Sequence, residues 1–166
     1  MNKISVFLLL SLLSLLLIQL GAQLFAITVA VTTLIESPPE SFAMIQGDFP
    51  YDSSTFWNVF PNILGSIFLI AIIFNWRTKF KKWILISFGL YVLSAIFAIF
   101  ILEPAQANVL NHSINGTELQ DLKSDTLTWY RFDWILFFLT LITSIALIIP
   151  IFKHLIEKNK TCYNKV

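Results

Sequence analysis

The sequence lacks a second cysteine and much of the charge that a soluble domain of this length carries. Because Cys162 is the only cysteine, no intrachain disulfide forms. This excludes four-helix membrane proteins with a cystine-bearing outer loop, and thiol oxidoreductases that use cysteine pairs. A glycine-rich phosphate loop, a CxxC pair and a serine nucleophile elbow are also missing. These absences argue against the common nucleotide-binding, redox and serine-hydrolase classes.

Apolar residues, in contrast, are abundant. Hydrophobic residues make up 57% of the chain and charged residues only 13%, a composition typical of membrane proteins. Four stretches carry no charge: 4–35, 56–76, 83–102 and 134–152. Each is long enough to cross a bilayer as a helix, which needs roughly 17 to 25 apolar residues.

These stretches predict an all-α fold, an integral membrane four-helix bundle that forms a single domain over residues 1–166. The predicted helices are 4–35, 57–76, 83–102 and 131–152. A cytoplasmic tail is predicted at 153–166. We expect the first helix to be retained rather than cleaved as a signal peptide, because its apolar run far exceeds the roughly 7 to 15 residues of a signal peptide.

Basic residues collect on one side of this predicted bundle. All but two of the eleven lysines and arginines lie at the N-terminus, in the connection 77–82 or after residue 152. The positive-inside rule makes that side cytoplasmic. Both termini therefore face the cytoplasm, and two longer connections, 36–55 and 103–132, are extracytoplasmic. We expect a bacterial plasma membrane, because the richness in Ile, Phe, Asn and Lys fits an AT-rich bacterial gene.

Small and polar residues recur at helical spacing on one face of each predicted helix. Gln19 and Gln23 share such a face on the first helix, and Asn62 lies on the second. Two interpretations stay open for these faces: interhelical hydrogen bonding and a polar-lined pocket. Gln19, Gln23 and Asn62 are candidates for lining a pocket, because an unpartnered amide in hydrocarbon costs roughly 1 to 3 kcal/mol.

The fourth predicted helix begins with aromatic and charged residues. In one interpretation Trp129 and Trp134 anchor the helix at the interface, Arg131 reaches the lipid headgroups, and Asp133 occupies the positive first turn of the helix. In the other, Trp129, Arg131 and Asp133 form a ligand site with the asparagines of the second helix. A charge at this depth is usually held inward by a partner.

We expect no metal site and no cofactor. His112 falls in the outer connection and His154 in the inner tail, so the two histidines lie on opposite sides of the membrane and cannot share an ion. No nucleic-acid partner is expected either, because the basic connection is typical of a topology determinant beside anionic headgroups.

Several features recur in order along nearly the whole chain. They are a glycine in the first helix (Gly21 in "QLGAQLFA"), Trp76 before a basic turn, Pro104 followed by Asn108, and Trp129 at the start of the fourth helix. This order resembles the anthrone oxygenase-like family of small four-helix membrane proteins. The chain departs from the family in the spacing of its proline and asparagine, which is four residues here and two in the family.

The resemblance implies a four-helix bundle and, as in a few fungal relatives, oxidation of an anthrone to an anthraquinone without a bound metal or flavin. Such a reaction needs a base that forms a carbanion. Asp133 is the candidate for this catalytic residue. The chain departs from the family pattern here, because Asp133 and Leu136 stand where relatives place a histidine and an arginine.

Three functions remain open from the sequence. The chain is predicted to be a multi-pass membrane protein with a pocket for a small lipophilic molecule near its extracytoplasmic side. The alternatives are a cofactor-independent oxygenase of the anthrone oxygenase type and an accessory membrane subunit whose polar faces only join helices. The expected partners are the lipid bilayer and a small hydrophobic ligand, and the sequence predicts no particular protein partner.

Overall fold

In a computed structural model, the chain folds into long helices. The structure describes residues 3–36, 40–42, 54–115 and 119–163, with side chains at 3–36, 40–42, 56–110 and 120–157. All elements within these ranges are helical. The predicted connection 36–55 lies mostly outside the described residues.

The first two helices are connected by a segment of which one turn is described. Helix α1 consists of an α segment Lys3–Phe25, a π segment Ala26–Val31 and a second α segment Thr32–Glu36. A 3-10 turn, Glu40–Phe42, follows. Helix α2 is Ser54–Asn75.

The last two helices are longer than the apolar stretches that they contain. Helix α3 begins with Lys81–Phe97, passes through a π segment Ala98–Leu102 and ends with Glu103–Asn115. Helix α4 is one helix of 45 residues, Leu119–Tyr163. At 1.5 Å per residue α4 is about 68 Å long, so it extends well beyond a hydrocarbon layer of about 30 Å.

Each helix is long and apolar enough to cross a membrane. The candidate spans are Lys3–Glu36, Phe56–Asn75, Lys81–Leu110 and Gln120–Glu157. The outside of the bundle is apolar, and Phe7, Ile73 and Phe100 are each about 70% exposed. An apolar surface that surrounds the bundle fits lipid chains as its solvent. The prediction of an all-helical bundle with four potential membrane spans is thereby confirmed.

The four helices form a ring in the order α1, α2, α3, α4. Helix α4 packs against α1 and α3, and α2 packs against the same two helices from the other side. Contacts join the turn after α2 to the last part of α4: Lys79 Nζ lies 2.6 Å from Glu157 Oε1, and the Phe80 ring packs edge-on against the His154 ring. These two regions therefore lie at the same end of the bundle.

We name the two ends by their charge. The basic end carries Lys3, Arg77, Lys79, Lys81, Lys82 and Lys153. The acidic end carries Glu36, Glu40, Glu103, Asp121 and Asp125. Two apolar clusters form the core, one toward each end. The basic-end cluster consists of Leu9, Leu12, Leu16, Leu64, Phe68, Ala71, Ile84, Leu147 and Ile151. The acidic-end cluster consists of Val31, Leu34, Phe42, Val109, Leu122 and Trp129.

The π segment of α1 keeps one line of side chains facing the interior. Gln23, Ile27 and Val31 follow each other at intervals of four residues, and all three are buried. On a regular α-helix each such interval overshoots a full turn by about 40°, so the line would drift toward the lipid. The wider turn Ala26–Val31 takes up this drift. The Thr32 hydroxyl donates a 2.9 Å hydrogen bond to the Ile27 carbonyl oxygen within this segment.

The second π segment explains why α3 continues where an end was predicted. Pro104 has no N–H to offer the carbonyl of Phe100, and its ring crowds that carbonyl. The widened turn Ala98–Leu102, which ends two residues before the proline, accommodates the crowding without ending the helix.

The helix ends differ from the prediction most at three places. Helix α3 extends to residue 115 instead of 102, α4 begins at 119 instead of 131, and α4 continues through the predicted tail to 163. The connection predicted at 103–132 is therefore mainly helical. A charge-free stretch indicates only the part of a helix that lies in lipid. The helix itself continues into water wherever its polar residues favour helical structure.

Candidate functional site

Polar side chains fill the interior between the two apolar clusters. Gln19 and Gln23 of α1 are buried there, as are Thr140, Thr143 and Ser144 of α4. None of these five residues belongs to either cluster. We call this set of five residues the middle layer. The face that Gln19 and Gln23 share on α1 is therefore buried at these two positions.

The two glutamines have acceptor atoms that the described part of the chain does not use. Gln23 Nε2 donates to Thr140 Oγ1 at 3.2 Å, which joins α1 to α4. The Oε1 atoms of Gln19 and Gln23 are buried and have no hydrogen-bond partner among the described residues. The two side chains are only 8% and 4% exposed. A buried amide oxygen without a donor costs on the order of 1–3 kcal/mol.

The hydroxyl groups of the middle layer cannot supply the missing donors. The Thr140 hydroxyl donates to the Leu136 carbonyl oxygen at 3.0 Å, the Thr143 hydroxyl to Leu139 at 2.8 Å, and the Ser144 hydroxyl to Thr140 at 2.9 Å. Each hydroxyl has a single proton. All three protons are therefore engaged within α4 and are not available to the glutamine oxygens.

Two further hydrogen bonds join neighbouring helices at or near the middle layer. The Ser87 hydroxyl of α3 donates to the Thr143 carbonyl oxygen of α4 at 2.9 Å. The Tyr91 hydroxyl of α3 donates to the Pro61 carbonyl oxygen of α2. Both bonds use main-chain acceptors, and both serve helix packing.

The structure separates the six predicted ligand-binding residues. Gln19 and Gln23 lie in the middle layer, whereas Trp129 packs into the acidic-end cluster and is 8% exposed. Arg131 is exposed and Asp133 is half-buried. No ion pair connects Arg131 to Asp133 in the part of the chain that the structure describes.

Asn62 does not join the interior. It is exposed on α2, and its amide Nδ2 donates to the Asn58 carbonyl oxygen one turn earlier at 2.7 Å. The sequence placed it on an inward face because polar groups in lipid usually seek other helices. Asn62 instead satisfies its donor within its own helix, which an Asn side chain is short enough to do.

Asp133 lies on the same side of α4 as Thr140. The two residues are seven positions apart, which is close to two full turns and about 10 Å along the helix. Asp133 is therefore displaced from the middle layer toward the acidic end. Its neighbour Phe132 packs edge-on against Phe97 of α3, with ring centres 6.0 Å apart.

Asn75 is a buried polar residue that the sequence did not single out as inward-facing. It is fully buried at the basic end, its Nδ2 donates to the Ala71 carbonyl oxygen at 2.9 Å, and its Oδ1 has no partner among the described residues. Its burial could have been found from spacing, because Leu64, Phe68, Ala71 and Asn75 follow at intervals of four, three and four residues.

Within the described residues, no group of three or more His, Cys, Asp or Glu side chains could hold a metal ion. The comparisons with protein-family models, with curated proteins and with solved structures find no match to the chain. The resemblance to the anthrone oxygenase-like family therefore stays a prediction. Fold and interior define a broader class, a helical bundle whose four long helices are consistent with a membrane protein.

Proposed function

We propose that the chain is a multi-pass integral membrane protein that binds a small lipophilic molecule between its middle layer and its acidic end. The observation that carries this proposal is the pair of buried amide oxygens of Gln19 and Gln23, neither of which has a hydrogen-bond partner among the described residues. They belong to side chains one turn apart on the same face of α1. Two neighbouring acceptors complement a ligand that carries a hydroxyl or N–H group on an apolar body.

The membrane strengthens the argument for a ligand. Within hydrocarbon no bulk water supplies the missing donors, and polar residues retained in such an interior are usually functional. A ligand donor that reaches one of the two oxygens removes its desolvation penalty. We expect about tenfold in affinity for each hydrogen bond gained.

The acidic half of the bundle is the side from which a ligand would enter. There α2 exposes Asn58, Val59 and Asn62, and none of its described residues belongs to the acidic-end cluster. We assign the basic end to the cytoplasm by the positive-inside rule. The ligand site then lies in the extracytoplasmic half of the membrane, with both termini in the cytoplasm.

The double variant Gln19→Leu/Gln23→Leu tests the proposal. It removes both unpartnered oxygens and replaces them with apolar groups of similar size. We expect the variant to fold and to retain its thermal stability, because the lost Gln23–Thr140 bond is offset by the removal of two buried acceptors. The amount of lipophilic compound that copurifies in lipid nanodiscs, measured by mass spectrometry, should fall at least tenfold.

Gln106→Leu is the matched control. Gln106 is exposed on α3, so the same chemical change there should leave the copurifying compounds as they are. Unchanged compounds in the double variant would contradict the ligand proposal. If that result came with a marked loss of stability, the glutamines would serve only to hold helices, as in an accessory subunit.

A further inference from the structure

A groove opens at the basic end of α2, on the side that faces the lipid. It is lined by Ile72, Ile73, Phe74, Trp76 and Arg77 and has a volume of about 470 Å³. The first three residues belong to the candidate span, and the last two follow it directly. The groove therefore lies at the level where the chain leaves the hydrocarbon and enters the headgroup region.

The lining of the groove changes from apolar to charged within about one helical turn. Ile73 is 72% exposed and Phe74 is 49% exposed, so both offer apolar surface to an acyl chain. Trp76 follows, and an indole ring favours the headgroup level of a membrane. Arg77 comes next and carries a guanidinium group, whose planar set of donors matches a phosphate. A phospholipid presents the same order of chemistry, from acyl chain to phosphate.

Positive charge at the mouth of the groove is not balanced by acidic side chains. Lys81 Nζ lies 5.0 Å from the centre of the Trp76 ring, which places a second cation in contact with the groove lining. Lys79 pairs with Glu157. Among the described residues, neither Arg77 nor Lys81 has a carboxylate within salt-bridge distance. The cation–π contact positions the Lys81 ammonium and leaves its other hydrogens available to an anion.

We infer that this groove binds one anionic phospholipid, a ligand distinct from the one proposed for the middle layer. Its acyl chain lies along Ile72, Ile73 and Phe74. Arg77 binds two phosphate oxygens with parallel N–H···O bonds, and Lys81 binds the same phosphate from the other side of Trp76.

Native mass spectrometry of the full chain, titrated with dioleoyl phosphatidylglycerol or dioleoyl phosphatidylcholine, tests this site. We expect the first complex to have a Kd at least tenfold lower, because only its headgroup carries net negative charge. Arg77→Gln/Lys81→Gln should weaken phosphatidylglycerol binding about 10- to 30-fold, since each cation near anionic lipid contributes roughly a factor of five. Phosphatidylcholine binding should stay within threefold of its original value.

Lys3→Gln/Lys82→Gln is the matched control, because it removes the same charge from exposed side chains at the same end that neither line the groove nor contact its Trp76 ring. We expect a change of less than threefold. Equal losses in both double variants would overturn the inference in favour of a diffuse surface potential. Equal binding of the two lipids by the unaltered protein would also overturn it, without reliance on any variant. Displacement of the lipid by millimolar inorganic phosphate would overturn the choice of a lipid.

Discussion

The basic and acidic halves of the bundle hold their helices together in different ways. In the basic-end cluster all four helices contribute apolar side chains. In the acidic-end cluster the described members come from α1, the 3-10 turn, α3 and α4, and none comes from α2. Helix α2 is thus anchored mainly through its basic half. One half of the molecule resembles a filled four-helix core, and the other holds three helices around a smaller core.

The middle layer marks the boundary between these halves. It contains the glutamines of α1 and hydroxyl residues of α4 at the level where both apolar clusters end. This polar layer separates the basic half, where all four helices pack together, from the acidic half, where α2 has fewer packing contacts. Binding sites are often found in such less tightly held regions.

Phe68→Ala should have the largest effect on stability. The Phe68 ring is fully buried, and its centre lies 5.8 Å from that of Phe88 and 5.2 Å from that of Tyr91. Removing it leaves a cavity between α2 and α3 that costs about 4–5 kcal/mol of unfolding free energy. Trp129→Ala should cost about 3 kcal/mol, because the smaller acidic-end cluster collapses more easily around the gap. Equilibrium unfolding in mixed micelles measures the unfolding free energy of both variants. Equal losses of unfolding free energy would contradict the difference between the two halves.

Thr140→Val should have an intermediate effect. The variant keeps the shape of the side chain but removes the acceptor of Gln23 Nε2, and a buried donor without a partner costs about 1–2 kcal/mol. Thr28→Val is the control, because the Thr28 hydroxyl is bonded only within α1, to Leu24, and the residue is exposed. That control should change the unfolding free energy by less than about 0.5 kcal/mol. If both variants cost the same, the middle layer does not couple α1 to α4.

Tyr91→Phe should have the smallest effect on overall stability. It removes the bond to the Pro61 carbonyl oxygen, and interhelical hydrogen bonds in membranes contribute about 0.6 kcal/mol on average. Because this bond ties the acidic half of α2 to α3, amide hydrogen exchange in residues 56–66 should become faster. Tyr130→Phe serves as the control, since the Tyr130 hydroxyl has no partner among the described residues. Unchanged exchange in the first variant would show that α2 is held there by other contacts.

The positions of the helices followed from the sequence, but their ends did not. A charge-free stretch such as 83–102 predicts a span because each charge in hydrocarbon is costly. The end of that stretch only indicates where the chain meets water. Glu103 and Pro104 suggested a connection, yet the π segment before them lets the helix continue. Helix propensity and hydropathy are separate properties, and hydropathy alone locates only the apolar part of a helix.

Polar residues that the sequence predicted on inward faces have different positions in the structure, and two of them show the physical reason. Gln23 is too long to satisfy its amide on the preceding turn as readily as a shorter side chain does, and it bonds to Thr140 instead. Asn62 bonds to its own helix and stays exposed. Polarity in a membrane helix is therefore a weak guide to orientation for Ser, Thr and Asn and a better guide for Gln. The sequence could not separate the two cases, because the outcome depends on which carbonyl is within reach.

The wide turn Ala26–Val31 has a consequence for how the chain tolerates insertions and deletions. Loss of one residue from it would let the backbone return to regular α geometry and would leave the remainder of α1 in its present orientation, because a π turn holds one residue more than the α turn that it replaces. Leu34 would then stay in the cluster with Trp129. A deletion within the regular segment Lys3–Phe25 would instead rotate the two parts of α1 relative to each other by about 100°, so the wide turn is where α1 tolerates the loss of a residue.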